Sequence, residues 1–205
     1  MAEFKLHCFG ESGNSYKAAL MMQLCGLDWE VIKIDFFKGE TRSAEFKAIN
    51  EMGEAPVLEH HGKVLAQSGA ILDYLACLTG KYGWTTNDER REIYRWILFD
   101  NHRFTANIAA LRYLVSLMKQ PENEVTKFLT GRVNAAMKVL EAHLGHHQFV
   151  ACDRMTIADL SLAGYIFYTD ELPFVITPSV RAWSERIKQL PAWKHPYDLM
   201  PRALV

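Results

Sequence analysis

A basic surplus, a cysteine framework and a long apolar run are all missing from this chain. Lys and Arg number 23 against 24 Asp and Glu, a net charge of −1, which argues against a nucleic-acid or polybasic membrane partner. No window approaches the ~18 uninterrupted apolar residues of a membrane span. The opening residues MAEFKLHCFG lack a basic stretch followed by a long apolar one, so no secretory leader is expected. The four cysteines, Cys8, Cys25, Cys77 and Cys152, form no CxxC pair. Each lies in an apolar context, where free cysteine behaves as a small buried hydrophobe, and the expected compartment is a reducing cytoplasm. Repeats and low-complexity tracts are absent too. What is present is ordinary globular material, 49% apolar and 23% charged in 205 residues, enough to build a core without disulfides or metal staples.

The apolar spacing changes character near residue 81. Before it, residues 5–9 read as a strand, and Ala18, Ala19, Met22 and Leu24 mark a helix face that Gly26 closes as a C-cap glycine. Residues 29–35 alternate as a second strand, and 44–49 form a short helix ended by the turn 50–53. Residues 57–59 and 63–66 are strands joined by the hairpin turn His60-His61-Gly62. Ser68 opens a helix with Ile71, Leu72, Leu75 and Leu78 on one face and Gly80 at its end. The order β-α-β-α-β-β-α makes the first two strands parallel and the last two antiparallel, a thioredoxin-like mixed sheet over residues 1–81.

After a linker at 81–87, residues 87–205 read as all helix, with apolar residues at three and four such as Ile93, Trp96 and Ile97 or Val133, Met137 and Leu140. Thr156 and Asp159 form a capping box, with Met155 and Leu160 at the staple positions. The run from Leu160 to Phe167 is nearly apolar all round, as a central buried helix should be.

The stretch GESGNSYK, residues 10–17, crowds small and polar residues before the first helix, which is expected to begin near Ser15. Two readings stay open from these residues alone. Ser12 and Asn14 shape a turn and Ser15 caps the helix, or the helix N-terminus with its neighbouring hydroxyls holds an anion. The pairs His60-His61 and His146-His147 have no partner acid or cysteine at ligand spacing, so no metal is expected. Cys8 has no basic neighbour and reads as an inert buried thiol rather than a redox centre.

Five segments, in order and spacing, resemble the cytosolic glutathione transferase family over essentially the whole chain. They are SGNSYK, GETRSAEFKAINEMGEAPVL, LAQSGAILDYL, TIADLSL and LPAWKHPYDLMP. The resemblance implies a thioredoxin-like glutathione-binding domain, an all-helical domain, and a homodimer that adds glutathione to hydrophobic electrophiles. It implies that Ser12, with Asn14 beside it as in bacterial members, meets the glutathione thiol, Ser15 being the rival hydroxyl. Ala55, between Glu54 and a cis-bonded Pro56, would pair with the tripeptide backbone. Gln67 and Ser68 would hold its γ-glutamyl end, and Lys38 and Arg42 its glycine carboxylate. The electrophile is expected in a cleft between the two halves, lined from the helical half by Asp100, Arg103, Phe104, Asn107, Tyr113, Tyr165 and Tyr168. Three departures stand out: Asn50-Glu51-Met52-Gly53 replaces the usual N-P-x-G, Ala55 the usual Val, and Gln67 a frequent Glu.

The chemistry asked of Ser12 is modest. A thiol with pKa about 8.5 is a few per cent ionised at pH 7, and lowering it by roughly 2 units takes about 2.7 kcal/mol. One charge-assisted hydrogen bond and a helix terminus supply that much. Ionisation then rises about 25-fold, while the lower basicity of the thiolate returns roughly 6- to 10-fold, so most rate enhancement comes from holding thiolate and electrophile together. Two alternatives share the resemblance: a glutathione-dependent disulfide reductase or peroxidase, and a non-catalytic interaction protein.

Overall fold

Phe4, Leu6 and Cys8 alternate along β1 (Phe4–Cys8) and are buried, as a central strand's covered face requires. In the computed structural model, which describes residues 2–204, β1 pairs in parallel with β2 (Trp29–Lys33) and antiparallel with β3 (Val57–His60). β3 pairs antiparallel with β4 (Lys63–Ala66), and the sheet order is β2-β1-β3-β4. This is the expected mixed sheet. The helices of this part are α1 (Gly13–Cys25), α2 (Ala44–Ile49) and α3 (Ser68–Thr79). α1 ends where expected, on Gly26 in the left-handed region at φ 71°, a conformation that glycine adopts without a Cβ clash.

Three local expectations are corrected. β2 stops at Lys33 because the backbone N–H of Asp35 turns to the Glu40 carboxylate at 2.6 Å and a 3-10 turn begins at Phe36. His60 belongs to β3, leaving a two-residue turn in which His61 and Gly62 both have positive φ, 47° and 78°, the backbone that matches strand twist. In α3, Ala76 completes the buried stripe with Ile71, Leu72 and Leu75, whereas Leu78 is 49% exposed. At 100° per residue Leu78 falls about 90° from the centre of that stripe.

The chain divides into two units, one running to Lys81 and resuming at Leu190, the other Tyr82–Gln189. The return of the tail differs from the expected helical domain over residues 87–205. Its physical basis is hydrogen bonding: the Tyr16 hydroxyl donates to the Lys194 carbonyl at 2.8 Å, and the Gly10 N–H donates to the Pro201 carbonyl at 2.7 Å. The short helix α9 (Pro196–Leu199) lies in this returning segment.

The second unit is helical, as its spacing implies: α4 (Asn87–Phe99), α5 (Thr105–Arg112), α6 (Glu124–Leu144), α7 (Ile157–Ala163) and α8 (Pro178–Lys188). π-helical turns at Asp100–Phe104 and Tyr113–Leu117 flank α5. The Thr156–Asp159 capping box forms, but α7 ends at Ala163 rather than running to Phe167. Beyond it the bonds tighten to three residues, Gly164 N–H to Ser161 O and Ile166 N–H to Ala163 O, a succession of turns rather than an α-helix. Among the described residues, no helix is long and apolar enough to cross a membrane.

Candidate functional site

Ser12 joins β1 to α1 with extended backbone, φ −86° and ψ 106°, and its Oγ accepts the Ser15 N–H at 3.1 Å. The helix therefore starts at Gly13, and Ser12, not Ser15, is its cap. Accepting through a lone pair, the Ser12 hydroxyl retains its hydrogen for a further acceptor. No acidic residue occupies the first turn of α1. Among the described residues, no hydrogen bond engages the N–H groups of Gly13 or Asn14. That end of the helix carries uncompensated positive dipole. Ser15 is fully buried, and among the described residues its Oγ has no hydrogen-bond partner.

The loop that presents Ser12 is clamped by the returning tail, which sequence reasoning missed. Glu11 is 3% exposed, and its two carboxylate oxygens accept the N–H groups of Ala203 and Leu204 at 2.9 and 3.1 Å. A Cβ at Gly10 would stand 3.0 Å from the carbonyls of Met200 and Pro201, so glycine permits this close approach. The closing segment LPAWKHPYDLMP was visible in the sequence, but no periodicity says where it docks.

The second wall of the site begins at the cis bond between Ala55 and Pro56, just before β3. Among the described residues, no hydrogen bond engages the Ala55 backbone. Asn50 shapes the approach: its Nδ2 donates to the Glu54 carbonyl at 2.8 Å, its Oδ1 accepts the Met52 N–H at 3.2 Å, and Gly53 turns the chain at φ 64°. The tight turn forms without the usual proline. Behind it, Phe9, Ile34, Phe46 and Val57 form a buried cluster against which Ala55 packs.

Gln67 immediately precedes α3 at φ 67° and ψ 115°, a conformation that costs a non-glycine residue of order 1–3 kcal/mol. Its Nε2 donates to the Glu54 carboxylate at 2.8 Å. Ser68 is the first helical residue, and its hydroxyl donates to Asn14 Oδ1 at 3.4 Å. One hydrogen bond thus ties the start of α3 to the start of α1. Glu54, Ala55, Gln67, Ser68, Asn14 and Ser12 lie along these linked loops.

Other expected residues stand apart. Lys38 pairs with Asp35 at 3.0 Å and holds that carboxyl below its usual range, while the Arg42 guanidinium folds over Gly39. Of the electrophile-lining candidates, Asp100 is fully buried and accepts from Thr105 and Ser161 hydroxyls, both at 2.6 Å. Phe104 is fully buried, Tyr165 and Tyr168 are nearly so, and the Asn107 amide donates to the Arg103 carbonyl. Only Arg103 and Tyr113 of that set are exposed. A groove of about 620 Å³ lies instead beside Trp96, Lys138, His143 and His147.

Two further expectations need correcting. Cys77 is exposed rather than buried. Cys8 is buried as expected, and burial pushes its thiol up to about 12. The pair His60-His61 does acquire an acid partner, Glu3, whose Oε1 lies 3.1 Å from His60 Nε2 and 3.3 Å from His61 Nε2.

The N-terminal domain model of glutathione S-transferase matches residues 2–77, and the C-terminal domain model matches residues 105–191. A possible glutathione S-transferase from Rhodopseudomonas palustris is 33% identical with a TM-score of 0.89, covering 95% of this chain and 98% of that one. A glutathione S-transferase from Xanthobacter autotrophicus is 31% identical with a TM-score of 0.88, over 95% and 98% of the two chains. Glutathione S-transferase 3 of Zea mays is 27% identical over 98% of this chain and 96% of its own length.

Proposed function

The chain belongs to the glutathione S-transferase family, and from that premise we propose that it binds glutathione and joins it, through its sulfur, to hydrophobic electrophiles. The observation that carries the reading is the start of α1: a capping hydroxyl with a hydrogen to give, two N–H groups beside it, and no acid in the first turn. A bound thiolate supplies the missing negative charge. Ser12 donates to it, and the α1 dipole adds to its stabilisation. Ser15 is the weaker candidate, since its side chain is fully enclosed.

The rest of the tripeptide follows the linked loops. The Ala55 backbone pairs with the cysteinyl unit in strand fashion. Gln67, Ser68 and the first turn of α3 receive the γ-glutamyl carboxylate, for which backbone donors at a helix start are suited. Arg42 serves the glycine carboxylate better than Lys38, whose ammonium is already paired with Asp35. Arg103 and Tyr113 are the exposed candidates for contact with the electrophile. Homodimer assembly belongs to the same reading and is read by light scattering.

The test is product analysis by mass with purified chain, glutathione and a panel that includes a chlorinated aromatic and a mixed disulfide. Conjugate with the aromatic, formed several-fold more slowly at pH 7 by Ser12→Ala, supports transfer. Turnover of the disulfide alone assigns the thiolate to reduction. Absence of both, with no thermal protection by millimolar glutathione, removes the catalytic reading.

A further inference from the structure

We propose that Glu3, His60 and His61 form a binding site for a divalent transition-metal cation at the end of the sheet opposite Ser12. The antiparallel register sets Phe4 against His60, which brings the preceding residue, Glu3, to the β3–β4 turn. One ligand atom from each of the three residues lies within 4.8 Å of the other two. Two of the three separations are 3.1 and 3.3 Å. Metal–ligand bonds of about 2.0–2.1 Å in tetrahedral geometry require ligands ~3.3 Å apart, so these two edges need almost no adjustment.

The site is built around one fixed ligand. His60 is 5% exposed, and its ring stacks on Phe4 with centroids 4.0 Å apart and planes 9° from parallel. Its other nitrogen, Nδ1, lies 2.6 Å from the Tyr74 hydroxyl. With Tyr74 accepting from Nδ1–H, the Nε2 lone pair is left for a cation beside Glu3, and the His61 ring lies against the His60 ring with centroids 4.2 Å apart. Such an outer partner orients a metal-bound imidazole and raises its basicity. His61 sits in the two-residue turn with φ 47°, and its exposed ring reaches Glu3 from there. Two imidazoles and one carboxylate suit Zn²⁺, Co²⁺ or Ni²⁺, and three protein ligands leave a position for solvent.

Tag-free full-length chain, stripped with chelator, is dialysed against Zn²⁺ and separately titrated with Co²⁺. The expected result is one Zn²⁺ per chain at micromolar free metal. Glu3→Gln and His61→Ala each weaken it at least about tenfold, and Tyr74→Phe about tenfold. Bound Co²⁺ should show ligand-field bands without the intense thiolate charge transfer that Cys77 would add. His147→Ala should leave binding intact, and His61→Ala should leave glutathione turnover intact, since that variant lies across the sheet from Ser12. No stoichiometric binding, binding unchanged in both Glu3→Gln and His61→Ala, or a charge-transfer band abolished by Cys77→Ser would each overturn the proposal.

Discussion

Helices α1 and α7 begin alike, with a hydroxyl residue capping the first turn, and differ in what neutralises that turn. At α7 the answer is internal. Asp159 is fully buried and accepts from the Thr156 N–H, the Thr156 hydroxyl, the Val150 N–H and the Trp183 indole N–H, all at 2.8 to 3.1 Å. At α1 no acid occupies the first turn, and the Glu11 carboxylate just before it accepts two N–H groups of the tail. The contrast separates two uses of one device. A helix start that carries its own anion joins segments of a core, and one that lacks an anion is ready to take a ligand's.

Removing the internal anion should have the largest effect. Asp159→Ala leaves four buried donors without their acceptor, and the expected loss of stability is roughly 3–5 kcal/mol, read by urea unfolding. The carboxyl also titrates. Burial is the dominant cause that lifts it from its ordinary 3.8 to about 6. Between those values the folded chain holds a proton that the unfolded chain has lost. This contribution to stability is full below the unfolded value and is lost as pH rises through about 6, up to ~3 kcal/mol in all. The difference in unfolding free energy between wild type and Asp159→Asn should track that loss. A difference independent of pH would show that the four hydrogen bonds fully offset burial.

The converse change gives α1 an anion of its own. Asn14→Asp keeps an acceptor for the Ser68 hydroxyl and favours the helix by about 0.3–1 kcal/mol. It should nevertheless lower glutathione turnover by about tenfold or more, because it places like charge beside the thiolate. Unchanged kinetics would break the comparison.

Ser12→Ala should cost about 1 kcal/mol of stability through the lost cap and several-fold in turnover at pH 7. By about pH 9 the deficit should vanish, because the thiol then ionises unaided and its thiolate is the stronger nucleophile. Smallest of all, Arg42→Ala should raise the KM for glutathione by about two- to threefold with kcat unchanged, as removal of one exposed ionic contact does.

Much of this was legible in the sequence because it is local. Gly26, the Asn50–Gly53 turn and the Thr156–Asp159 box each announce themselves within a few residues. The cis bond at Ala55-Pro56 was foreseen only through the family resemblance, since X-Pro bonds are usually trans. What escaped depends on register or on distant chain. Glu3 meets His60 and His61 only through antiparallel pairing across more than fifty residues, and Glu11 finds its partners at Ala203 and Leu204. Asp100 is expected among the lining residues of the electrophile cleft, yet its oxygens are taken by Thr105 and Ser161. Side-chain satisfaction of that kind is a tertiary fact with no period to read.

The decisive measurement is an ultraviolet titration of the thiolate of bound glutathione in wild type and in Ser12→Ala, both saturated with ligand. If the start of α1 cradles ionised sulfur, the wild-type midpoint falls about 2 units below that of free thiol, near pH 6.5, and the substitution moves it back by at least about 1 unit. Equal midpoints in the two proteins, or a wild-type midpoint at that of free glutathione, would contradict it.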